Sequence, residues 1–161
     1  MSDDFKIVIV LKTPEGASSE EEVRGNILLD DKELQEFTLK SGTEEKFEHV
    51  VTLEDGDHKL TINNKYAPDN KLACVIDKIE FDDIDLGIIA YSGEYRPNYP
   101  EPWYTNECSE GRQPKEVWGG GKAGKDSFAG QDGSACLFMG WEGEYTLKFY
   151  TPLYEWLLEH L

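Results

Sequence analysis

Hydrophobic and polar positions alternate along most of the first 90 residues, and turn-forming residues interrupt the alternation about every ten positions. Phe5 to Lys12 is rich in β-branched residues, and Phe47 to Leu53 alternates apolar with polar side chains. Similar short segments cover residues 25–30, 32–39, 58–63, 72–81 and 84–90. A period of two residues indicates half-buried strands, and short strands at this spacing predict an all-β sandwich or barrel.

The residues between the segments predict how the strands are joined. Asp30-Asp31 and Asp55-Gly56 each predict a hairpin between the segments that flank them. Tyr145 to Tyr150 alternates again near the C-terminus, and the Glu142-Gly143 turn predicts Leu137–Trp141 as its partner strand.

The last ten residues, Pro152 to Leu161, have the pattern of a short amphipathic helix. Leu153, Trp156, Leu157 and Leu161 fall on one side of it. A helix this short does not hold without packing. We therefore expect it to dock on the sandwich or on a partner subunit.

Residues 91–141 break the strand pattern. They contain nine of the 19 aromatic residues, nine of the 15 glycines and four of the seven prolines. A long irregular segment in a compact domain is usually functional or disordered, and disordered segments are poor in aromatic residues. We expect this segment to fold against the β scaffold and to present a surface.

These patterns predict one domain over residues 1–161. Its predicted fold is an antiparallel, jelly-roll-like β-sandwich. Residues 91–141 form an irregular aromatic-rich insertion in it, and residues 152–161 form a C-terminal helix.

The net charge of -17 narrows the choice of partners. Nucleic acids and anionic membranes require a basic surface, so neither is expected to bind. The charge is uneven, because residues 1–90 carry 22 acidic and 10 basic side chains whereas residues 91–141 carry seven and five. The nearly neutral segment suits a neutral ligand or a packing interface.

Catalytic chemistry has little support in the sequence. None of the three histidines has a Ser or Cys nucleophile in a recognisable setting, so we expect a protein that is not an enzyme. Cys74 is expected in the core, whereas Cys108 and Cys136 either pair or remain free thiols. The acidic N-terminus does not resemble a signal peptide, so we expect synthesis in the cytoplasm without Sec export.

Aromatic residues interleaved with hydrogen-bonding side chains are the candidate ligand-binding set. The rings stack on sugar C–H faces, while Asn and Arg bind hydroxyl groups. Three interpretations stay open: a loop-borne core, a sugar-binding surface or a protein interface. The candidates are Tyr91, Tyr95, Tyr99, Trp103, Tyr104, Trp118, Arg96 and Asn98.

Two acidic turns are candidate calcium sites. One contains Asp55 and Asp57, and the other contains Asp82, Asp83 and Asp85. Calcium prefers carboxylate and carbonyl oxygens in loops. The alternative is that both turns are solvated acidic surface.

Part of the first half resembles a known family. Gly56, the run from His58 to Asn64 and the strand-like run from Leu72 to Phe81 are similar to motifs of calcium-dependent carbohydrate-binding modules of the xylan-binding type. The resemblance covers residues 5–90 and implies a jelly-roll sandwich that binds polysaccharide, with calcium bridging to sugar hydroxyls. Lys65 stands where that family has an acidic residue.

The second half is similar to small uncharacterised proteins of marine bacteriophages. The runs Gly93–Trp103, Met139–Phe149 and 152–161 carry this similarity, which implies a virion component. We therefore expect non-catalytic, calcium-assisted recognition of polysaccharide, carried out on a virion. The alternative is a structural subunit whose aromatic segment and C-terminal helix contact identical or neighbouring chains.

Overall fold

A computed structural model describes residues 2–13, 22–66, 73–98, 102–112, 118–119, 137–139 and 142–159. Within these residues the chain forms eleven strands, two α-helices and one 3₁₀ helix. The strands are β1 (Ser2–Lys12), β2 (Glu22–Leu29), β3 (Lys32–Lys40), β4 (Glu44–Glu54), β5 (Gly56–Tyr66), β6 (Cys74–Phe81), β7 (Ile84–Asp85), β8 (Glu94–Pro97), β9 (Trp118–Gly119), β10 (Phe138–Met139) and β11 (Gly143–Thr151). The helices are the 3₁₀ helix (Gly87–Ser92), α1 (Trp103–Ser109) and α2 (Leu153–Glu159).

The strands form two antiparallel sheets, which confirms the predicted β-sandwich. Sheet A has the order β10-β6-β1-β4, with β7 paired to β6. Sheet B has the order β3-β2-β5-β11-β8-β9. Every pairing between described strands is antiparallel.

The inner faces of the two sheets form one hydrophobic core. Alternate residues of a strand point to opposite faces, so each central strand contributes every second side chain. The buried set includes Phe5, Ile7, Ile9 and Leu11 of β1, Leu60 and Ile62 of β5, and Tyr145, Leu147 and Phe149 of β11.

Helix α2 packs against this core through its apolar side. Leu153, Trp156 and Leu157 are buried, which confirms the predicted face, and Leu161 lies outside the described residues. The ring of Trp156 lies 6.0 Å from that of Phe81 and 6.1 Å from that of Phe149.

Two Asp-Asp turns are built in the same way, one in each sheet. Both central residues of each turn have positive φ, at Asp30 and Asp31 (51° and 67°) and at Asp82 and Asp83 (50° and 66°). This geometry is that of a type I′ hairpin turn, in which Asp is tolerated. The predicted β2–β3 hairpin is confirmed.

Each of these turns binds a lysine on the neighbouring strand. Asp30 N donates to Lys59 O (2.9 Å), Lys59 N donates to Asp30 Oδ1 (2.8 Å), and Lys59 Nζ lies 2.9 Å from Asp31 Oδ1. In sheet A, Asp82, Asp83 and Lys6 make the same three contacts at 2.8, 2.8 and 2.9 Å. A slip of one residue would separate these partners, so the two Asp-Asp/Lys clusters fix the strand register.

Two predicted strand connections and the extent of one predicted strand are wrong. At Asp55-Gly56 the chain crosses from β4 in sheet A to β5 in sheet B instead of forming a hairpin. The strand predicted at Leu137–Trp141 is represented by β10, which pairs with β6 rather than with β11. The strand predicted over 84–90 ends at Asp85 and continues as the 3₁₀ helix.

The segment 91–141 contains more regular structure than its sequence predicts. Strand β8 extends sheet B beside β11, and β9 pairs with β8. Helix α1 covers Trp103–Ser109 and has no buried residue. The described part of this segment is therefore attached to the sandwich through β8 and β10.

Gly25 gives a direct test of how closely β2 and β5 approach. A Cβ atom at this position would lie 1.8 Å from the backbone oxygen of Asn63 and 2.6 Å from the Phe37 ring. We expect Gly25→Ala to lower the free energy of unfolding by about 3 kcal/mol, because the strands must move apart. Urea denaturation measures this change. Thr38→Ala, at an exposed position of β3, is the control, and equal midpoints for the two variants would contradict the packing.

Candidate functional site

The predicted ligand-binding residues do not form one exposed surface in the described structure. Tyr95 is 2% exposed and pairs in register with Tyr145, so its ring belongs to the core and its predicted binding role is wrong. Trp103 and Tyr104 lie half-buried on α1. Tyr91 lies in the 3₁₀ helix and Trp118 in β9, while Tyr99 lies outside the described residues.

The polar members of that set are engaged close to β8. Arg96 is exposed, and its guanidinium lies 2.9 Å from Glu94 Oε2. The backbone nitrogen of Asn98 donates to Glu142 O at 2.6 Å. Among the contacts that the structure describes, none joins Arg96 or Asn98 to an aromatic ring of α1.

The predicted calcium ligands are placed in turns rather than around a common centre. Asp82 and Asp83 bind Lys6, and Asp85 Oδ1 accepts a hydrogen bond from Gly87 N at 2.9 Å. Asp55 and Asp57 are exposed at the β4–β5 crossing. In the described parts of the chain, no group of three or more His, Cys, Asp and Glu side chains could hold a metal ion. Calcium binding stays a prediction.

A pocket of about 510 Å³ lies where sheet B meets α2. Its walls come from neighbouring positions of β5 and β11 and from the inner side of the helix. The lining residues are Asp57, His58, Lys59, Lys148, Phe149, Tyr150, Trp156 and Glu159.

The register of β5 and β11 explains this arrangement. His58 and Phe149 are paired and point inward, where Phe149 is 3% exposed. The flanking pairs, Asp57 with Tyr150 and Lys59 with Lys148, point to the outer face because the side-chain period of a strand is two. The pocket therefore has a rim of charged and phenolic groups on the outer face, whereas the rings of His58 and Phe149 belong to the core side of sheet B.

His58 links three parts of the structure beside the pocket. Its Nδ1 lies 2.6 Å from Asp30 Oδ2 in the β2–β3 turn, and its Nε2 lies 2.7 Å from Glu54 O at the end of β4. Both neighbours are acceptors, and only an imidazolium can donate from both ring nitrogens. Burial alone would lower the pKa of His58, but its bonds to Asp30 and Glu54 and the charges of Asp30 and Asp57 raise it.

The carbonyl of Glu54 connects two walls of the pocket. It accepts one hydrogen bond from His58 on β5 and a second, of 3.0 Å, from Thr151 Oγ1 just before α2. These two donors use both lone pairs of the oxygen. Sheet A is thereby tied to the strand and to the helix that form the pocket.

Tyr150 is the half-buried ring at the rim. Its interaction with the Glu159 carboxylate, together with desolvation, raises the pKa of Tyr150 to about 12. The phenol therefore stays neutral at ordinary pH and can donate to the carboxylate. Tyr150 of β11 and Glu159 at the C-terminal end of α2 line the same pocket.

Sequence reasoning missed this site. Tyr150 and Trp156 look like ordinary members of a strand period and of a helix face, and only the fold brings them together. The available signal was the alternation in β11, which places Lys148 and Tyr150 on the same outer face two residues apart.

The two cysteines that the structure describes lie in different environments. Cys74 is buried, and burial raises the pKa of its thiol to about 12. Cys108 is exposed and has no disulfide partner among the described residues, while Cys136 lies outside them, so the pairing of these two cysteines stays open.

Comparison of the chain with protein-family models, with curated proteins and with solved structures gives no match. No α-helix in the described ranges is long and apolar enough to cross a membrane.

The His58 interactions make stability depend on pH. Because the pKa of His58 is higher in the folded state, its stabilising contribution is complete below about pH 6.5, the ordinary His pKa, and is lost as the pH rises through the raised value. We expect urea midpoints to fall over that interval and the fall to be smaller in His58→Gln. A wild-type midpoint that rises over the same interval would contradict this linkage.

Proposed function

We propose that the protein is a non-catalytic carbohydrate-binding module whose ligand occupies the pocket between β5, β11 and α2. The observation that carries this proposal is the combination of a fixed aromatic ring with charged hydrogen-bonding groups around one opening. Tyr150 supplies the ring, Asp57 supplies acceptors, and Lys148 supplies donors.

This combination suits a sugar because a sugar has two kinds of surface. Its C–H face packs on an aromatic ring, and its hydroxyl groups both donate and accept hydrogen bonds. Tyr150 is half-buried in β11, and its place in the sheet limits the movement of the ring, which lowers the entropic cost of binding.

The chemistry of the nearby groups favours binding without catalysis. Both ring nitrogens of His58 lie at hydrogen-bond distance from acceptors, so neither is available to move a proton of the ligand. The thiol of Cys74 is protonated and lies in the core.

The proposed site differs in position from the one that the sequence predicts. The aromatic segment 91–141 carries the predicted rings, whereas the pocket is formed by residues outside it. Virion association and calcium assistance remain separate predictions, which come from the family resemblances and not from the pocket.

Substitution of Tyr150 tests the site. We expect Tyr150→Ala to weaken retention by polysaccharide in affinity electrophoresis by at least about tenfold, because a central aromatic contact is lost. Tyr154→Ala is the matched control, since Tyr154 is 73% exposed on α2 and does not line the pocket. A panel of neutral and charged polysaccharides is required, with circular dichroism to verify folding.

The variant Trp103→Ala tests whether the ligand binds in the pocket or at the aromatic residues of α1. Retention of binding in this variant, together with loss in Tyr150→Ala, supports the pocket. The opposite pattern would move the site to α1. Repeating the assay with calcium and with a chelator tests the calcium prediction separately. Binding that survives chelation would contradict calcium assistance and leave the carbohydrate proposal unchanged.

A structural role in an assembly is the second candidate, and the outer side of α2 favours it. Tyr154 and Leu158 are four residues apart and therefore neighbours on the helix surface, where they are 73% and 71% exposed. Exposed apolar side chains of this size suit contact with a second copy of the chain.

Sedimentation velocity tests this second candidate. If α2 joins identical chains, the purified protein sediments as an oligomer and Leu158→Glu converts it to a monomer. A monomer at every concentration up to the solubility limit would remove self-association through α2.

A further inference from the structure

The pocket places two lysines directly opposite each other on neighbouring strands. Lys59 of β5 and Lys148 of β11 are partners in the antiparallel register, and both line the pocket. Like charges in directly opposite positions destabilise a sheet. The chain has 33 acidic and 16 basic residues, so this pair concentrates positive charge where the chain has little of it.

The two lysines differ in their partners. Lys59 Nζ lies 2.9 Å from Asp31 Oδ1, in the turn between β2 and β3. Among the residues that the structure describes, no carboxylate oxygen lies within 4.0 Å of Lys148 Nζ. An anionic group of a ligand can therefore neutralise the positive charge of Lys148 at the pocket rim.

The positions around Lys148 match the outline of one sugar ring. Tyr150 is two residues further along β11, roughly 6.8 Å away on the same face. Asp57 is the register partner of Tyr150 on β5. A ring stacked on Tyr150 can therefore extend one substituent toward Lys148 and another toward Asp57.

We propose that Lys148 is a specificity-determining residue that makes the pocket prefer sugars carrying a carboxylate, the uronic acids. This inference rests on the carbohydrate-binding function proposed above. The uronate carboxylate accepts a charge-assisted hydrogen bond from Lys148, and a ring hydroxyl donates to Asp57. Neutralising Lys148 also removes its repulsion of Lys59.

The charge of the whole protein decides which uronate ligands are suitable. At -17 the chain repels a long polyanion, but salt screens this repulsion beyond a Debye length of about 8 Å at physiological ionic strength. The lining contains the basic residues His58, Lys59 and Lys148 beside Asp57 and Glu159, so it is less acidic than the chain as a whole. Short uronate oligosaccharides at physiological salt are therefore the right probes.

Isothermal titration calorimetry with two oligosaccharides of equal length tests the inference. The probes are an oligomer of galacturonic acid and the corresponding neutral oligomer of galactose. We expect wild type to bind the uronate oligomer about tenfold more tightly, as one hydrogen bond to a charged group provides. In Lys148→Gln this ratio falls close to one, whereas Lys148→Arg preserves most of it.

Lys65→Gln is the matched control, because Lys65 is an exposed lysine of β5 that does not line the pocket. An unchanged ratio in this variant supports a local effect of Lys148. Equal affinities of wild type for both oligomers, or a ratio that survives in Lys148→Gln, would overturn the uronate preference and leave the carbohydrate function standing. Binding of neither oligomer would overturn the uronate preference, while the panel of polysaccharides tests the carbohydrate function separately.

Discussion

The ring of Phe149 is the contact on which both the fold and the pocket depend. It stacks on Phe5 of β1 at 5.6 Å and packs against Phe81 of β6 at 4.7 Å, which joins sheet B to sheet A. It also contacts His58 at 5.7 Å and Trp156 at 6.1 Å. These separations are in the range that favours aromatic pairs. Helix α2 is too short to be stable alone, so the pocket exists because Trp156 packs on this ring.

The two Asp-Asp/Lys clusters have the same local structure but lie in different sheets. Asp4-Phe5-Lys6-Ile7 in sheet A and Asp57-His58-Lys59-Leu60 in sheet B share a pattern of acid, ring, lysine and aliphatic residue. In both, the ring contacts Phe149. Sheet A has Phe5 at this position and sheet B has His58, which adds polar bonds to the same packing. The cluster that contains His58 lies at the pocket.

The sequence allowed the strands and the apolar face of α2 to be predicted, because a period of two or 3.6 residues is a local property. The partners of the strands could not be predicted in the same way. Asp55-Gly56 signals a reversal of the chain, but whether β5 stays beside β4 or joins the other sheet depends on contacts with β2 and β11. The same limit applies to β10, whose partner β6 is distant in sequence.

The site was harder to predict than the fold for a related reason. The many aromatic residues in 91–141 predicted a binding surface that included Tyr95, but the structure buries this residue. The pocket combines β5, β11 and α2, and in the sequence each contributes only ordinary alternation. Strand β5 contributes residues 57–59, which form one wall of the pocket.

Amide chemical-shift mapping during a titration with a bound oligosaccharide tests the central claim most directly, because it locates the ligand without substitutions. We expect the largest changes on residues 57–59 of β5, on residues 148–150 of β11 and on the α2 residues Trp156 and Glu159. Changes confined to α1 and β8, with the pocket residues unaffected, would contradict it.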